Sequence, residues 1–460
     1  MIFSFLNVVD LIRVSSVCKT WFVLCEHKIS SMKIIDCKAL QQALIKTRKG
    51  FRSLKSKHLV TIIRRNSGCL LNLNLGGVVL LGREILDAVA EHCPNLVSLN
   101  MENSGYEYKI DDLLESTYGM RQDDVNLVRE LLIRTNVKDI TLSDVVNEKD
   151  LGWILKHAKS LEQLSLKYSA VVECKINGTA IVKYLSFNNM TKIDILAIKN
   201  LSGSVFVCIV SNFRHCLTEL CVNGGGGILL SDIDFRTLAY CRMAKLTKIV
   251  ASELMTEKCV KSNVSKTWNQ TKLFLGLFPK LKLLTVTLSD ILDVFVSIIA
   301  YECPLLEVIA FSFCNVDYTE VFSSLSSLKY ITDLTIDWPG RSSLIGPPYK
   351  GLYPAVFLAE VATKFTSLRI LSLRTVMGFD IYDLMAVAEL IECNEKLEIL
   401  NFERIWCTDD EKELFFNRCK SIKRTLKLII YFRVSENNCC FENNVNKPSF
   451  MTVKKLAKRK

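Results

Sequence analysis

The sequence predicts an α/β solenoid, with short parallel strands on one face and helices on the other, one strand–helix unit stacked on the next. Three observations predict it. The first is a recurring pattern: apolar, two variable residues, apolar, one variable, apolar. Leu96-x-x-Leu99-x-Met101, Leu161-x-x-Leu164-x-Leu166, Leu281-x-x-Leu284-x-Val286, Leu306-x-x-Ile309-x-Phe311, Leu368-x-x-Leu371-x-Leu373 and Leu397-x-x-Leu400-x-Phe402 fit it closely. Looser copies begin at Leu70, Val137, Met190, Leu217, Leu246, Ile331 and Leu426, the copy at Leu246 being the weakest. The second is the spacing. Nine of the twelve intervals between copies fall at 24–29 residues, and the other three contain insertions near 102–125, 252–275 and 338–356. The third is the stretch before each copy. Residues 83–92, 290–302 and 382–392 carry apolar side chains three and four apart, the period of a helix with one buried stripe. Pro94, Pro279 and Pro304 then stand two residues before a copy, where a missing N–H ends helical bonding.

Each unit follows from its period. The last two apolar positions of a copy alternate with a polar one, as in a strand buried on one face. A unit of this length cannot cover its own apolar surface, so its neighbours must. Intervals of 24–29 residues are those of a leucine-rich repeat. The expected architecture is a leucine-rich-repeat solenoid of about 12–13 repeats over residues 46–435, a horseshoe with a parallel sheet on its concave face and helices outside. Cys93, Cys303 and Cys393 recur just before a copy, which resembles the cysteine-containing class of these repeats. A doubly wound α/β protein is the competing architecture, but such folds do not repeat leucines in fixed register a dozen times.

Composition excludes several other classes. The chain has 460 residues, 49% of them hydrophobic and 23% charged, with only 8 prolines and 19 glycines, so it reads as folded rather than disordered or collagen-like. No run approaches the ~20 apolar residues that span a bilayer. The net charge of +11 sits largely at one end: residues 420–460 hold eleven Lys or Arg against Glu436 and Glu442. A nearly neutral body lacks the basic face that phosphates require, so no nucleic-acid partner is expected. Residues 436–460 read as a basic, disordered tail, and Lys454–Lys460 has the composition of a nuclear-import signal. Eighteen dispersed cysteines without a CxxC form neither a disulfide framework nor a zinc site, and they read as reduced thiols of a cytoplasmic or nuclear protein. The four glycines Gly224–Gly227 lack the Lys-Ser/Thr of a phosphate-binding loop and read as a flexible connection. His92, His157 and His215 each stand shortly before a copy and read as occupants of a helix end, where a protonatable ring suits the dipole. No catalytic residue, metal or cofactor is expected.

Residues 1–25 do not fit the repeat. Leu11, Val14, Cys18, Trp21 and Cys25 make one apolar helical stripe, and Asn7 or Asp10 stands where a cap belongs. A helix that merely seals the first repeat is one reading. The residues Ile2-Phe3-Ser4-Phe5-Leu6, Asp10-Leu11 and Val17-Cys18-Lys19-x-Trp21 closely resemble the F-box motif in register. That family joins a short three-helix F-box to substrate-binding repeats, so the combination resembles the F-box and leucine-rich-repeat proteins. The family's usual Leu-Pro-acidic opening is not present before Ile2, so residues 1–45 read as an F-box with an incomplete first helix.

The resemblance implies a non-enzymatic role. The F-box would dock on the Skp-type adaptor of a cullin–RING ubiquitin ligase while the repeats hold a protein substrate. Ile2, Phe5, Leu6, Asp10, Leu11, Val17, Cys18 and Trp21 are the implied adaptor-binding residues. For the substrate, the variable strand positions and the Pro- and Gly-rich stretch 338–353 supply Lys167, Asp337, Trp338, Arg374, Arg404 and Trp406 as candidates, Arg and Trp being typical interface anchors. A leucine-rich-repeat scaffold without a ligase link is the alternative.

Overall fold

All thirteen sequence copies become strands, including the weak one at Leu246. The structure, a computed structural model, describes residues 18–39, 56–66, 68–76, 83–102, 122–145, 147–167, 175–196, 198, 201–223, 236–252, 272, 275–287, 292–312, 325–337, 354–374, 381–407, 409–419 and 427–434. The chain divides into two units, Met1–Gly225 and Gly226–Lys460, and the boundary falls within the Gly224–Gly227 run.

The first unit runs α1 (Lys19–Ser30), β1 (Ile34–Asp36), α2 (Ser56–Arg65), β2 (Asn72–Asn74), α3 (Arg83–His92), β3 (Ser98–Asn100), α4 (Gln122–Arg134), β4 (Asp139–Ser143), α5 (Glu148–Leu155), β5 (Gln163–Lys167), α6 (Thr179–Leu185), β6 (Lys192–Ile195), α7 (Gly203–Phe213) and β7 (Glu219–Asn223). Its strands pair in parallel in chain order. The second unit holds β8 (Lys248–Ser252), β9 (Leu283–Thr287), α8 (Leu292–Glu302), β10 (Val308–Ser312), β11 (Asp333–Asp337), α9 (Pro354–Lys364), β12 (Ile370–Arg374), α10 (Ile381–Cys393), β13 (Ile399–Cys407), α11 (Asp409–Cys419) and β14 (Lys427–Val434), again parallel and in chain order. This is the leucine-rich-repeat fold.

Two boundaries differ from the sequence reading. The sheet already begins at β1, which pairs with β2 inside the segment 1–45 assigned to the F-box. β1 sits in a copy of the pattern, Met32-x-x-Ile35-x-Cys37, which has no leucine and stands 38 residues before the copy at Leu70, outside the 24–29-residue spacing. At the other end Leu428, not Ile429, stands in register with Leu400, so the copy read from Leu426 is displaced by one residue. Register there is set by pairing with β13, which itself shifts between Phe402 and Ile405.

The pattern leucines form the core. Leu73, Leu99, Ile140, Leu164, Ile193 and Leu220 line up across β2 to β7 and are buried. Ile249, Leu284, Ile309, Leu334, Leu371 and Leu400 do the same across β8 to β13. Helices close the other side. In α4, Asp123 and Asp124 suit the positive end of the dipole, while Val125, Val128, Leu131 and Leu132 form the inward stripe. Backbone bonds add a ladder that needs no particular side chain. The carbonyl of Leu71 accepts from the N–H groups of Val97 and Ser98, that of Val97 from Lys138 and Asp139, and that of Lys138 from Glu162 and Gln163. The second unit repeats this from Thr247 through Lys282, Glu307, Thr332 and Arg369.

In seven of the described copies, the residue three before the first apolar position fills a buried slot, and its carbonyl accepts that position's N–H. Cys93 and Cys303 occupy it, but so do Ala158, Met243, Phe278, Phe365 and Asn394. Cys393 is a correction: it is exposed, and Asn394 beside it takes the slot. The Asn394 amide donates to the Ala362 and Leu390 carbonyls, so a polar side chain ties two repeats where cysteine would only pack. Burial pushes the thiol of Cys93 up to about 11 and that of Cys303 to about 12, with the Glu302 carboxylate adding to the latter, so both stay protonated and inert. His157 also departs from expectation. Burial first, then the nearby cations Arg129, Lys156 and Lys159, hold its pKa below the ordinary histidine value.

One carboxylate joins two helices. Glu148, in the first turn of α5, accepts from the backbone N–H groups of Asn177 (2.8 Å), Gly178 (3.1 Å) and Ala180 and from the Thr179 hydroxyl (3.0 Å). These are the orphan donors at the start of α6. Gly178 sits there at φ +87°, where a Cβ would also meet Leu201 at 2.9 Å. Glu148→Ala is expected to destabilise the chain by about 2 kcal/mol, since hydrogen bonds to a charged group are the strong ones. Glu148→Gln, which keeps the shape and loses the charge, should cost less. Urea denaturation of both variants checks this ordering.

Candidate functional site

Two surfaces among the described residues bear on function: the outer side of α1 and the open strand face of each unit. On α1, which packs against α2, Val23 is 64% and Leu24 46% exposed. Cys18 just before it is exposed too. Thus α1 presents the apolar side chains of Val23 and Leu24 to the outside. Of the implied adaptor residues, Ile2, Phe5, Leu6, Asp10, Leu11 and Val17 lie outside the described residues, and Trp21 is placed in α1 by its backbone. Val23 and Leu24 were missed because they lie off the Leu11–Cys25 stripe and match no signature position.

The open face of the first unit is a polar groove of about 530 Å³ extending from β1 to β6. Its floor carries Asp36, Asn74, Asn100, Thr141, Ser165 and Asp194, one per strand in register. Side chains lock one another here. Asn74 donates to Asp36 at 3.2 Å, Ser98 to Asp139 at 3.0 Å, and Ser165 to Asp194 at 3.1 Å. Lys167, a candidate substrate residue, lines the groove and pairs with the same Asp194 oxygen. The Asn74 and Asn100 carbonyls turn back to accept from the N–H groups of Gly76 and Glu102, which end the strands.

The open face of the second unit is different. Leu283, Val308, Asp333, Ile370 and Ile399 occupy one register row across β9 to β13, all partly exposed. The next row is small: Thr285, Ala310, Thr335 and Ser372, ending at Asn401. Just before the strands run exposed ion pairs, Lys282–Glu307 at 2.7 Å and Arg369–Glu398 at 2.8 Å. The Arg369 guanidinium, hydrogen-bonded to Glu398, holds that carboxyl below the usual range. Asp337 and Arg374 are register partners in β11 and β12, and Trp406 in β13 is the register partner of Arg433. Arg404 falls at the β13 register shift, and Trp338 lies outside the described residues. Hence Asp337 and Arg374 come together, while Lys167 belongs to the other unit.

Among the described residues no three His, Cys, Asp or Glu side chains are grouped to hold a metal ion. No described helix is long and apolar enough to cross a membrane.

The class this architecture defines is a leucine-rich-repeat protein with a distinct amino-terminal helical segment. Residues 1–31 match the family model described as F-box-like. No curated protein matches the chain. Among solved structures, the chain is similar to one from the complex of Rad7 and Elc1 in yeast, at 14% identity and a TM-score of 0.47, covering 88% of this chain and 94% of that one. It is also similar to the leucine-rich repeat-containing protein LegL7 from Legionella pneumophila, at 13% identity and a TM-score of 0.37, covering 72% of this chain and 91% of that one.

Proposed function

We propose that this chain is the substrate-recognition subunit of an SCF-type ubiquitin ligase, acting in the cytoplasm or nucleus. Its amino-terminal segment docks on a Skp-type adaptor, through which a cullin is recruited, and its repeats hold a protein substrate. The chain supplies no chemistry of its own. It acts by proximity, keeping substrate lysines beside a charged conjugating enzyme and so raising their effective concentration. The observation that carries this reading is the F-box-like match over residues 1–31, supported by the outward-facing Val23 and Leu24 within it. A cap that served only the solenoid would turn such side chains inward.

The test is co-purification of the full chain with a Skp-type adaptor and a cullin. Leu11→Asp should abolish it by placing an unpaired charge in an apolar contact. Full retention of the adaptor by that variant would refute the assignment and leave the scaffold reading.

A further inference from the structure

The row Leu283–Val308–Asp333–Ile370–Ile399 is an apolar stripe with one carboxylate at its centre. Strands lie about 4.8 Å apart, so the five side chains cover about 19 Å. Beside them the small row gives clearance: Thr285, Ala310, Thr335 and Ser372 leave the stripe standing above its surroundings. A partly exposed apolar row of this length, interrupted by a single carboxylate, is what an interface looks like before it is filled.

The central charge is the informative part. Arg369, whose charge acts on Asp333, directs Nε and Nη2 at Glu398 at 2.9 and 2.8 Å. The Thr332 hydroxyl beside Asp333 donates to the Glu307 carbonyl, and the longer-range attraction of Arg369 is opposed by the carboxylates of Glu398 and Glu307. Burial is the dominant influence on the Asp333 carboxyl and raises its pKa, the mark of an anion short of solvation and of a cation. Two strands along and one row on, the side-chain oxygen of Asn401 is buried without a donor. Both groups lack what a partner with a cation and an N–H would bring.

The spacing selects the partner's shape. An α-helix lying across the strands repeats its facing side chains every turn, about 5.4 Å, close to the strand spacing. An extended segment repeats its facing side chains at about 6.6 Å and falls out of step within two strands. We infer that the second unit's open face takes an amphipathic helix from the protein partner, with a Lys or Arg at the centre of its apolar stripe set against Asp333. This deepens the reading of the repeats as the substrate-holding part and does not depend on the adaptor, so the two can fail separately.

The probe is a 15-residue helical peptide on an Ala/Gln background, with leucine at its first, fourth, eleventh and last positions and lysine at its middle position, a pattern tolerant of either direction. Binding to the full chain is followed by fluorescence anisotropy. The lysine peptide should bind, and a counterpart with glutamate at the middle position should bind at least about tenfold more weakly, the scale of one half-buried charge contact. Asp333→Lys should invert that preference. Asp333→Asn, which keeps the side chain's shape, should bring the two peptides to similar affinity and serves if Asp333→Lys does not fold. Binding that ignores the charge at the middle position, no binding of either peptide, or equal binding of a version broken by a proline just before the middle position would each overturn the inference. Adaptor co-purification, read in parallel, is expected to be untouched by every Asp333 variant.

Discussion

Replacing Val23 and Leu24 together by aspartate is expected to remove the adaptor from the purified chain while leaving thermal unfolding unchanged. Both residues lie on the solvent side of α1, so the charges enter water in the isolated chain and cost the fold little. In the complex they would meet an apolar partner, where an unpaired carboxylate must be desolvated. Two central apolar anchors are worth about 2 kcal/mol each, so affinity should fall on the order of a thousandfold. Surface plasmon resonance against the immobilised adaptor, with unfolding scans of the same samples, checks both halves. Equal affinity would mean that this side of α1 faces solvent in the assembly as well. A drop in unfolding temperature would mean that it packs against the chain itself.

Phe213→Ala is expected to be the most damaging single substitution in the first unit, at about 3–5 kcal/mol. Phe213 ends α7 with its side chain fully buried, and its carbonyl accepts from the N–H groups of Cys216 and Leu217. Truncation opens a cavity where helix, turn and the first leucine of the next strand meet. Phe213→Leu, which refills most of the space, should cost about a third as much. Because each repeat touches mainly its neighbours, the damage should stay local. Hydrogen exchange should quicken most in α7, β6 and β7 and least in β2 and β3. Uniform acceleration across the unit would contradict that picture.

The residues differ in how far they could be read without coordinates. Leu99, Leu164, Leu284 and Leu371 announce themselves, because strand alternation and repeat length are local and show in one dimension. The buried slot three residues before seven of the copies does not. Cys93, Phe278 and Asn394 share it although they have little chemistry in common, since what the position demands is burial and a carbonyl aimed at the next leucine. Reading cysteine as its signature therefore led to Cys393, one residue early. Lys167 lines the open face of the first unit, yet its engagement with Asp194 depends on a residue a whole repeat away.

What the sequence determined alone is the unit: a strand with an inward leucine face, a helix to cover it, a stop between them, and an opening segment that follows a different rule. These are short-range properties, encoded in spacings of two, three and four residues. The tertiary structure decided which outward residues become neighbours. Leu283, Val308, Asp333, Ile370 and Ile399 are separated by 25 to 37 residues of chain, and only parallel pairing in register makes them one surface. The same pairing gives the first unit a polar groove, because its equivalent positions are filled by Asn72, Ser98, Asp139, Gln163 and Lys192. Burying the inward face constrains that face and leaves the outward one free to vary, so the surface that meets a partner is assembled by stacking rather than by any local pattern.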